Sequence, residues 1–343
     1  WMMTSMRPVT SEIFSKLRTT PGGTEQKSLG SSTRLFSPRS PQEIRNLPLR
    51  QKKFSIVCSC MCSAAPSPGG GTGLASYFTS FPTHVRTRQD SQYLFVESDG
   101  LADHTLMVGI RSWQQQVPLP AAYTGTNAWR IPLAPRLAAQ PVSARTGLFR
   151  GAIALAVNGV PIFNALNNRG DDAFLFGELD DFGGHAGRAD DYHYHTAPLF
   201  LSSTVGATRP IGVALDGFVL YGGVEPDGSA MRPLDDYNGH ADAAETYHYH
   251  GTRTYPYING GMKGVVSVVD DHVDPQPTLK PVRPAGTPLA GATITAWSST
   301  GTNAWRLEYK INSATYRVDY RVTGSTYTFV FTRSEEHTSE LQS

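Results

Sequence analysis

The chain from residue 92 onward alternates short apolar runs with turn residues. Residues 93–96 and 105–110 are strand-like, and nearly continuous apolar runs cover 148–163 and 211–221. Apolar runs that lack polar alternation are typical of strands buried on both faces. We therefore predict that the two long runs form the core of a β protein.

Turn residues interrupt both core runs at equivalent places. Asn158-Gly159 and Asp216-Gly217 predict type I′ hairpin turns between short strands. The chain also holds 33 glycines and 24 prolines and shows few long helical periodicities. These features favour a mainly β, loop-rich domain.

A separate alternating pattern lies near the C-terminus. Apolar residues alternate with polar ones in rows at 305–311, 316–322 and 327–331, which predicts a small antiparallel β meander with one apolar face. We place this β unit at 290–332, after a Pro-rich linker at 275–289. Packing against the main domain is the favoured use of the apolar face, and a sugar-stacking platform is the alternative.

Two histidine-rich blocks accompany the two core runs. Residues 178–195 read ELDDFGGHAGRADDYHYH, and residues 233–250 read PLDDYNGHADAAETYHYH. Six of the ten histidines of the chain lie in these blocks. Since run and block recur together, we interpret them as two sequence repeats at about 151–200 and 211–257.

Each block spaces three histidines so that they can converge. Alternate side chains of a strand share a face, so the two histidines of Y-H-Y-H lie on one face with Cα atoms about 6.6 Å apart. The third histidine follows a glycine turn at hairpin spacing. Three imidazoles with one open position form the ligand set of a catalytic metal site. The predicted ligands are His185, His193, His195, His240, His248 and His250.

Two arrangements of these ligands stay open, namely one three-histidine site per repeat or one site shared between the repeats. A ligating imidazole usually donates its other N–H to a carboxylate or a carbonyl. The block carboxylates predicted for that task are Asp180, Asp181, Asp235 and Asp236. The alternative to metal binding is a buried polar network in which the histidines rigidify the repeat.

Neutral imidazoles without thiolates favour zinc or copper over calcium or magnesium. The sequence therefore predicts a metal-binding protein with a metal ion as its partner. A metal-dependent hydrolase is one alternative, because an open coordination position can activate water. A surface module that binds glycans or proteins and uses its histidines structurally is the other.

These motifs resemble those of the YHYH family, named for the tetrapeptide found here at 192–195 and 247–250. The resemblance extends from about 92 to 264. It includes ALDGFVLYG at 214–222 and SDGLADH at 98–104.

The resemblance has three consequences. It adds His104, the last residue of SDGLADH, to the predicted metal ligands. Family members are largely uncharacterised extracytoplasmic proteins, often exported or lipid-anchored, so the resemblance implies a location and no reaction. Many members carry cysteines at the positions that Tyr237 and Gly261 occupy in this chain. The disulfide that the family implies between those positions is therefore not expected in this protein.

Composition narrows the partners further. With 343 residues, of which 39% are hydrophobic, the chain can form packed cores. A net charge of +1 offers no basic field for nucleic acid. No run approaches the roughly 18 apolar residues that a membrane span needs. We therefore expect neither nucleic-acid binding nor a membrane span.

The N-terminal region is predicted to be a leader at 1–65, which is disordered, targeting or non-native. A linker and entry segment at 66–91 follows and leads into the YHYH domain at 92–274. The three cysteines follow a short apolar run and lie at Cys58, Cys60 and Cys62. This pattern is similar to the end of a signal peptide or to a lipobox, so it favours a secreted, periplasmic or cell-surface protein, with a lipid anchor as one alternative. The competing interpretation is that the segment is no signal, because its apolar run is short.

The last residues, 333–343, are similar to the translation of a common sequencing-library adapter. His337 lies in this segment and is therefore left out of the predicted ligands.

Overall fold

The computed structural model describes residues 73–333. The predictions of a leader, of a signal or lipid anchor at the cysteines and of an adapter-like tail from 334 onward lie outside the described residues. Strands hold 39% of the described residues and helices 6%, which confirms the mainly β fold class.

The described strands form five sheets. In chain order they are β1 Val85–Gln89, β2 Tyr93–Ser98, β3 Trp129–Pro132, β4 Leu137–Ser143, β5 Ala152–Ala156, β6 Pro161–Phe163, β7 Gly184–Ala186, β8 Tyr192–Tyr194, β9 Gly212–Ala214, β10 Val219–Tyr221, β11 Gly239–Ala241, β12 Tyr247–His250, β13 Gly261–Gly264, β14 Ser267–Val269, β15 His272–Asp274, β16 Ala292–Gly301, β17 Ala304–Ile311, β18 Ala314–Thr323 and β19 Thr326–Arg333.

Helical segments are short. The 3₁₀ helices are Leu74–Phe78, Gly125–Asn127 and Leu199–Leu201, and the α-helix α1 is Ser202–Val205. Across residues 73–333, no helix has the length and apolar character required to cross a membrane.

The central sheet has eight strands in the order β11-β12-β10-β9-β5-β6-β8-β7. This order is the same from either edge, because β5 to β8 on one side correspond in turn to β9 to β12 on the other. The inner strands β5 and β9 pair antiparallel. The parallel pairs β6–β8 and β10–β12 then place each Y-H-Y-H strand next to the end of a core hairpin.

The two core runs form the middle of this sheet. Every residue of β5 and β9 is buried, and Ile153, Leu155 and Val213 have no exposed surface. Full burial of an aliphatic side chain contributes roughly 1.5–3 kcal/mol. The apolar runs therefore fix the strands that carry the histidine blocks.

The turns within the core runs differ from the prediction. A type I′ turn needs positive φ at both central residues, but only Gly159 (φ 82°) and Gly217 (φ 93°) are left-handed. Asn158 and Asp216 keep negative φ. Their buried side chains form hydrogen bonds with tyrosines of the Y-H-Y-H strands.

The C-terminal meander is confirmed and has four antiparallel strands, β16 to β19. The sequence pattern did not resolve β16, because its polar half is exposed and hides the alternation. Backbone bonds join Ile294 to Gly109 and Ile110. Trp113 packs edge-on against Tyr309, with ring centroids 4.9 Å apart. The apolar face of the meander is thus used for packing.

The predicted linker at 66–91 carries defined structure from its 3₁₀ helix onward. Phe78, Phe81 and Val85 belong to the buried core. Strand β1 pairs antiparallel with β2. This part of the chain therefore contributes to the fold.

Candidate metal centres

Two hairpins bring the block histidines together. Strand β7 pairs with β8 so that His185 lies opposite His193, and β11 pairs with β12 so that His240 lies opposite His248. The donor atoms of each group lie within 4.8 Å of one another. The first cluster consists of His185, His193 and His195, and the second cluster consists of Glu225, His240, His248 and His250.

Glycine is required next to the first histidine of each hairpin. A Cβ atom at Gly184 or Gly239 would collide with the hydroxyl of Tyr192 or Tyr247 and with a carbonyl of the paired strand. The Gly-His dipeptide of each block therefore allows the close strand approach that brings the imidazoles within reach of each other.

The Nδ1 atoms of the cluster histidines face backbone carbonyls. His193 Nδ1 lies 3.0 Å from the oxygen of Asp191, and His250 Nδ1 lies 2.8 Å from that of Gly222. The other Nδ1 partners are the carbonyls of Asn164 for His195, Pro233 for His240 and Thr246 for His248. His185 bonds the backbone of Glu178. Because a carbonyl only accepts hydrogen bonds, a neutral ring that bonds one through Nδ1 carries its proton on that atom. The lone pair is then on Nε2.

The Nε2 atoms meet inside each cluster. His185 and His195 bring theirs to 3.1 Å, and His240 and His248 bring theirs to 3.0 Å. Two lone pairs at this distance repel each other unless a proton or a cation lies between them. Two nitrogens bound to one tetrahedral zinc ion at about 2 Å are roughly 3.3 Å apart. The spacing is therefore close to that of a metal-ligand pair.

Glu225 completes the second cluster. Its carboxylate oxygens lie 3.2 Å from Nε2 of His240, 3.4 Å from that of His248 and 3.8 Å from that of His250. The side chain of Glu225 is 3% exposed. Four ligand atoms, all within 4.8 Å of one another, match the donor set of a closed tetrahedral site.

The charge states suit metal binding. Burial lowers the pKa of His195 to about 3 and holds the pKa of His185 well below its ordinary value. Burial likewise lowers the pKa of His248 and His250. Burial opposes the ionisation of Glu225, but hydrogen bonds from Arg232 outweigh it and bring its pKa to about 2. Neutral imidazole and ionised carboxylate are the forms that ligate metals.

Asp180 and Asp235 bond tyrosines, so their predicted bonds to imidazole N–H groups are not formed. A carboxylate that was not predicted, that of Asp191, lies 3.4 Å from Nδ1 of His193. Asp180 accepts a hydrogen bond from the Tyr192 hydroxyl at 2.7 Å, and Asp235 accepts one from Tyr247 at 3.0 Å. Backbone carbonyls bind the imidazole N–H groups instead. The reason is strand alternation, which turns the tyrosines and their partners away from the histidine face.

The second aspartate of each pair has a different position. Asp181 and Asp236 are exposed. Within residues 73–333 neither side chain forms a hydrogen bond to a cluster histidine. Asp181 and Asp236 therefore do not accept the predicted hydrogen bonds from the imidazole N–H groups.

The second tyrosine of each Y-H-Y-H binds the turn residue of its core hairpin. Asn158 donates to the Tyr194 hydroxyl at 3.0 Å, and the Tyr249 hydroxyl donates to Asp216 at 2.5 Å. These bonds explain the polar residues in the core turns. They also fix both strands that carry the histidines.

His104 lies on the tyrosine face and not in either cluster. Its Nε2 accepts a hydrogen bond from the Tyr194 hydroxyl at 2.8 Å, and its ring stacks on Phe182 with centroids 4.0 Å apart. Both nitrogens are occupied, because Nδ1 bonds the Thr105 carbonyl at 2.9 Å. The structure therefore separates His104 from the other predicted ligands.

Two aspartates that precede His104 in the sequence form hydrogen bonds with His84. Asp99 and Asp103 each lie 2.9 Å from one of its ring nitrogens. The hydrogen bond to Asp99, followed by the one to Asp103, raises the pKa of His84 to about 9. Because the folded pKa exceeds the unfolded value, this contribution to stability is complete below about pH 6.5 and is lost as the pH rises through 9.

Replacing His84 with Gln is expected to lower the free energy of unfolding at pH 7 by about 1 kcal/mol, since both carboxylates are partly exposed and screened. The difference between the two proteins should shrink at pH 10. Denaturant unfolding at pH 6, 8 and 10 measures it. A difference that stays constant across this range would contradict the ion-pair explanation.

The two clusters are separate, which decides between the arrangements left open by the sequence. Glu225 is a candidate ligand that the histidine spacing did not predict. Glu225 and Asn167 hold the same place in the turns after β10 and β6. In each turn the backbone N–H of this residue donates to the carbonyl four residues later, and its own carbonyl accepts from a glycine. The equivalence of the two turns is the signal that could have pointed to Glu225.

The first cluster borders a cavity of about 530 Å³. All three of its histidines line the wall. A volume of this size is within the range of small-molecule sites.

Comparison with known proteins identifies one region of the chain. A family profile described as YHYH protein matches residues 128–233. The matched region contains the whole first cluster and Glu225. No curated protein and no solved structure gives a significant match. Residues 128–233 are therefore similar to the YHYH family, which confirms the resemblance for the motifs at 192–195 and 214–222.

Proposed function

We propose that the protein binds transition-metal ions at its two histidine clusters. The observation that carries this proposal is the convergence of the ligand atoms, which lie within 4.8 Å of one another in each cluster. His250 is the clearest case, because its Nε2 is buried and has no hydrogen-bond partner among the described residues. A buried acceptor without a partner costs about 1–3 kcal/mol. A bound cation would remove that cost.

Zinc or copper is the proposed ion. The donors are imidazole nitrogens, joined in the second cluster by one carboxylate. These donors suit borderline ions, whereas calcium and magnesium prefer sets of oxygen ligands. The backbone carbonyls that bind Nδ1 hold each ring in the tautomer that presents Nε2.

The proposed location is outside the cytoplasm, with two alternatives: export by a signal peptide to the periplasm, the cell surface or the medium, or attachment to a membrane surface by a lipid anchor. This part of the proposal rests on the cysteine segment and on the family resemblance.

The test is elemental analysis of the full chain. Metal-free protein is exposed to zinc or to copper, separated from free ion and analysed for bound metal. We expect about two ions per chain, one for each cluster. Well under one ion per chain would contradict the proposal and would favour the alternative that the histidines are structural.

A metal-dependent hydrolase is the second candidate function. The observation in its favour is the cavity beside the first cluster, because a metal with an open position can activate water next to a bound substrate.

A further inference from the structure

The two clusters differ in their fourth donor. Glu225 supplies a carboxylate in the second cluster, whereas Asn167 holds the corresponding turn position beside the first. The Asn167 amide donates to Glu178 at 3.2 Å, and Arg169 forms an ion pair with the same carboxylate. Among residues 73–333, no carboxylate oxygen belongs to the group of ligand atoms that the three histidines form, since Asp191 faces Nδ1 of His193 at 3.4 Å. The first cluster therefore offers an open set of donors.

The open side of the first cluster faces a cationic wall. The cavity is lined by four arginines and two carboxylates, namely Arg150, Arg169, Arg188, Arg283, Glu178 and Asp190. Arg169 pairs with Glu178 and Arg283 pairs with Asp190. Arg150 and Arg188 form no ion pair with the described residues. The wall thus has an excess of positive charge before any metal is added.

We propose that the first cluster is a ligand-binding metal site and that its cavity takes a small oxyanion, a phosphate or a carboxylate. This inference rests on the proposed function. The oxyanion supplies the fourth donor to the metal, and Arg150 and Arg188 provide the charge that attracts and holds it. Guanidinium groups bind both kinds of oxyanion through paired hydrogen bonds.

The second cluster has the opposite character. His250 is 0% exposed, and Glu225 already supplies an anionic donor. Arg232 holds that carboxylate through its backbone N–H at 2.8 Å and its guanidinium at 3.4 Å. A closed set of four protein ligands is typical of a structural metal site. An added oxyanion should therefore leave the second cluster unchanged.

Cobalt(II) provides the test, because its visible absorption reports changes in its ligands. The full chain is loaded with cobalt as two matched variants. The variant His248→Ala/His250→Ala keeps only the first cluster, and His193→Ala/His195→Ala keeps only the second. Inorganic phosphate and acetate are titrated separately into each. We expect a saturable spectral change with at least one anion in the first variant and none in the second.

The arginines are tested in the same assay. In the variant that keeps the first cluster, adding Arg150→Gln/Arg188→Gln should weaken the response to the anion about tenfold, with unchanged cobalt content. The phosphate and acetate arms separate the two classes of ligand, because the tighter one identifies the class that the cavity accepts.

The outcomes are distinguishable. Absence of bound cobalt from both variants would overturn the proposed function, and this inference with it. Bound cobalt that responds to neither anion in the first cluster would overturn this inference alone. An equal response in both clusters, or an arginine variant that binds the anion as tightly as its parent, would overturn the assignment of the oxyanion to this cavity.

Discussion

The protein with His248 and His250 replaced by alanine is expected to bind one metal ion per chain in place of two. The reciprocal variant, His193→Ala/His195→Ala, should also lose one ion and keep the other. The reason is that the clusters share no ligand. Elemental analysis of the two variants beside the wild type measures the result, and total loss of metal from either variant would indicate one shared site.

The same variants should differ in metal-dependent stability. A ligand present at 1,000 times its dissociation constant stabilises the folded state by about 4 kcal/mol. The second cluster has four protein donors and the first has three. We therefore expect the larger loss of thermal stabilisation by zinc when the second cluster is removed. Unfolding curves with and without a chelator, recorded for each variant, isolate the metal contribution from the effect of the substitution.

Replacing Asp180 with alanine is expected to destabilise the protein by about 3–5 kcal/mol. This carboxylate is 6% exposed. It accepts bonds from the amides of Met107, Phe182 and Gly184 and from the Tyr192 hydroxyl. Alanine would leave these donors buried without an acceptor. Denaturant unfolding of the metal-free protein measures the change.

Two neighbours serve as matched controls. Asp181→Ala removes the adjacent, exposed carboxylate and should change stability by about 0.5 kcal/mol or less. Asp235→Ala removes the equivalent residue of the second block, which is exposed and also pairs with Lys263 at 2.8 Å. Water can replace part of its contacts, so we expect about 1–2 kcal/mol. Equal losses for Asp180 and Asp181 would contradict the burial argument.

Strand periodicity accounts for the part of the site that the sequence predicts. Alternation along Tyr192–Tyr194 places the two tyrosines on one face of the strand and the histidine between them on the other face. The hairpin spacing places His185 beside His193 on the neighbouring strand. Both relations are local, because they depend on residues within one strand or one turn. The mainly β class follows from the same periodicity in the core runs.

Contacts between distant segments could not be predicted in this way. Glu225 reaches the second cluster from a turn that follows β10, and it does so only because β10 pairs in parallel with β12. Asp180 and His104 are in the predicted set, but the sheet places both on the tyrosine side. The sequence shows that these polar residues are present near the histidine motifs. It does not show on which face of the sheet their side chains lie.

The sequence by itself determined that the histidines of the two hairpins converge in groups of three and that apolar strands support them. Both features depend on the spacing of residues along one chain segment. Tertiary structure alone decided that the clusters are separate, that Glu225 joins the second and that the first opens to an arginine-lined cavity. The physical reason is that a metal site is defined by distances of about 3 Å between donor atoms, and those distances across the sheet are fixed by strand order and packing.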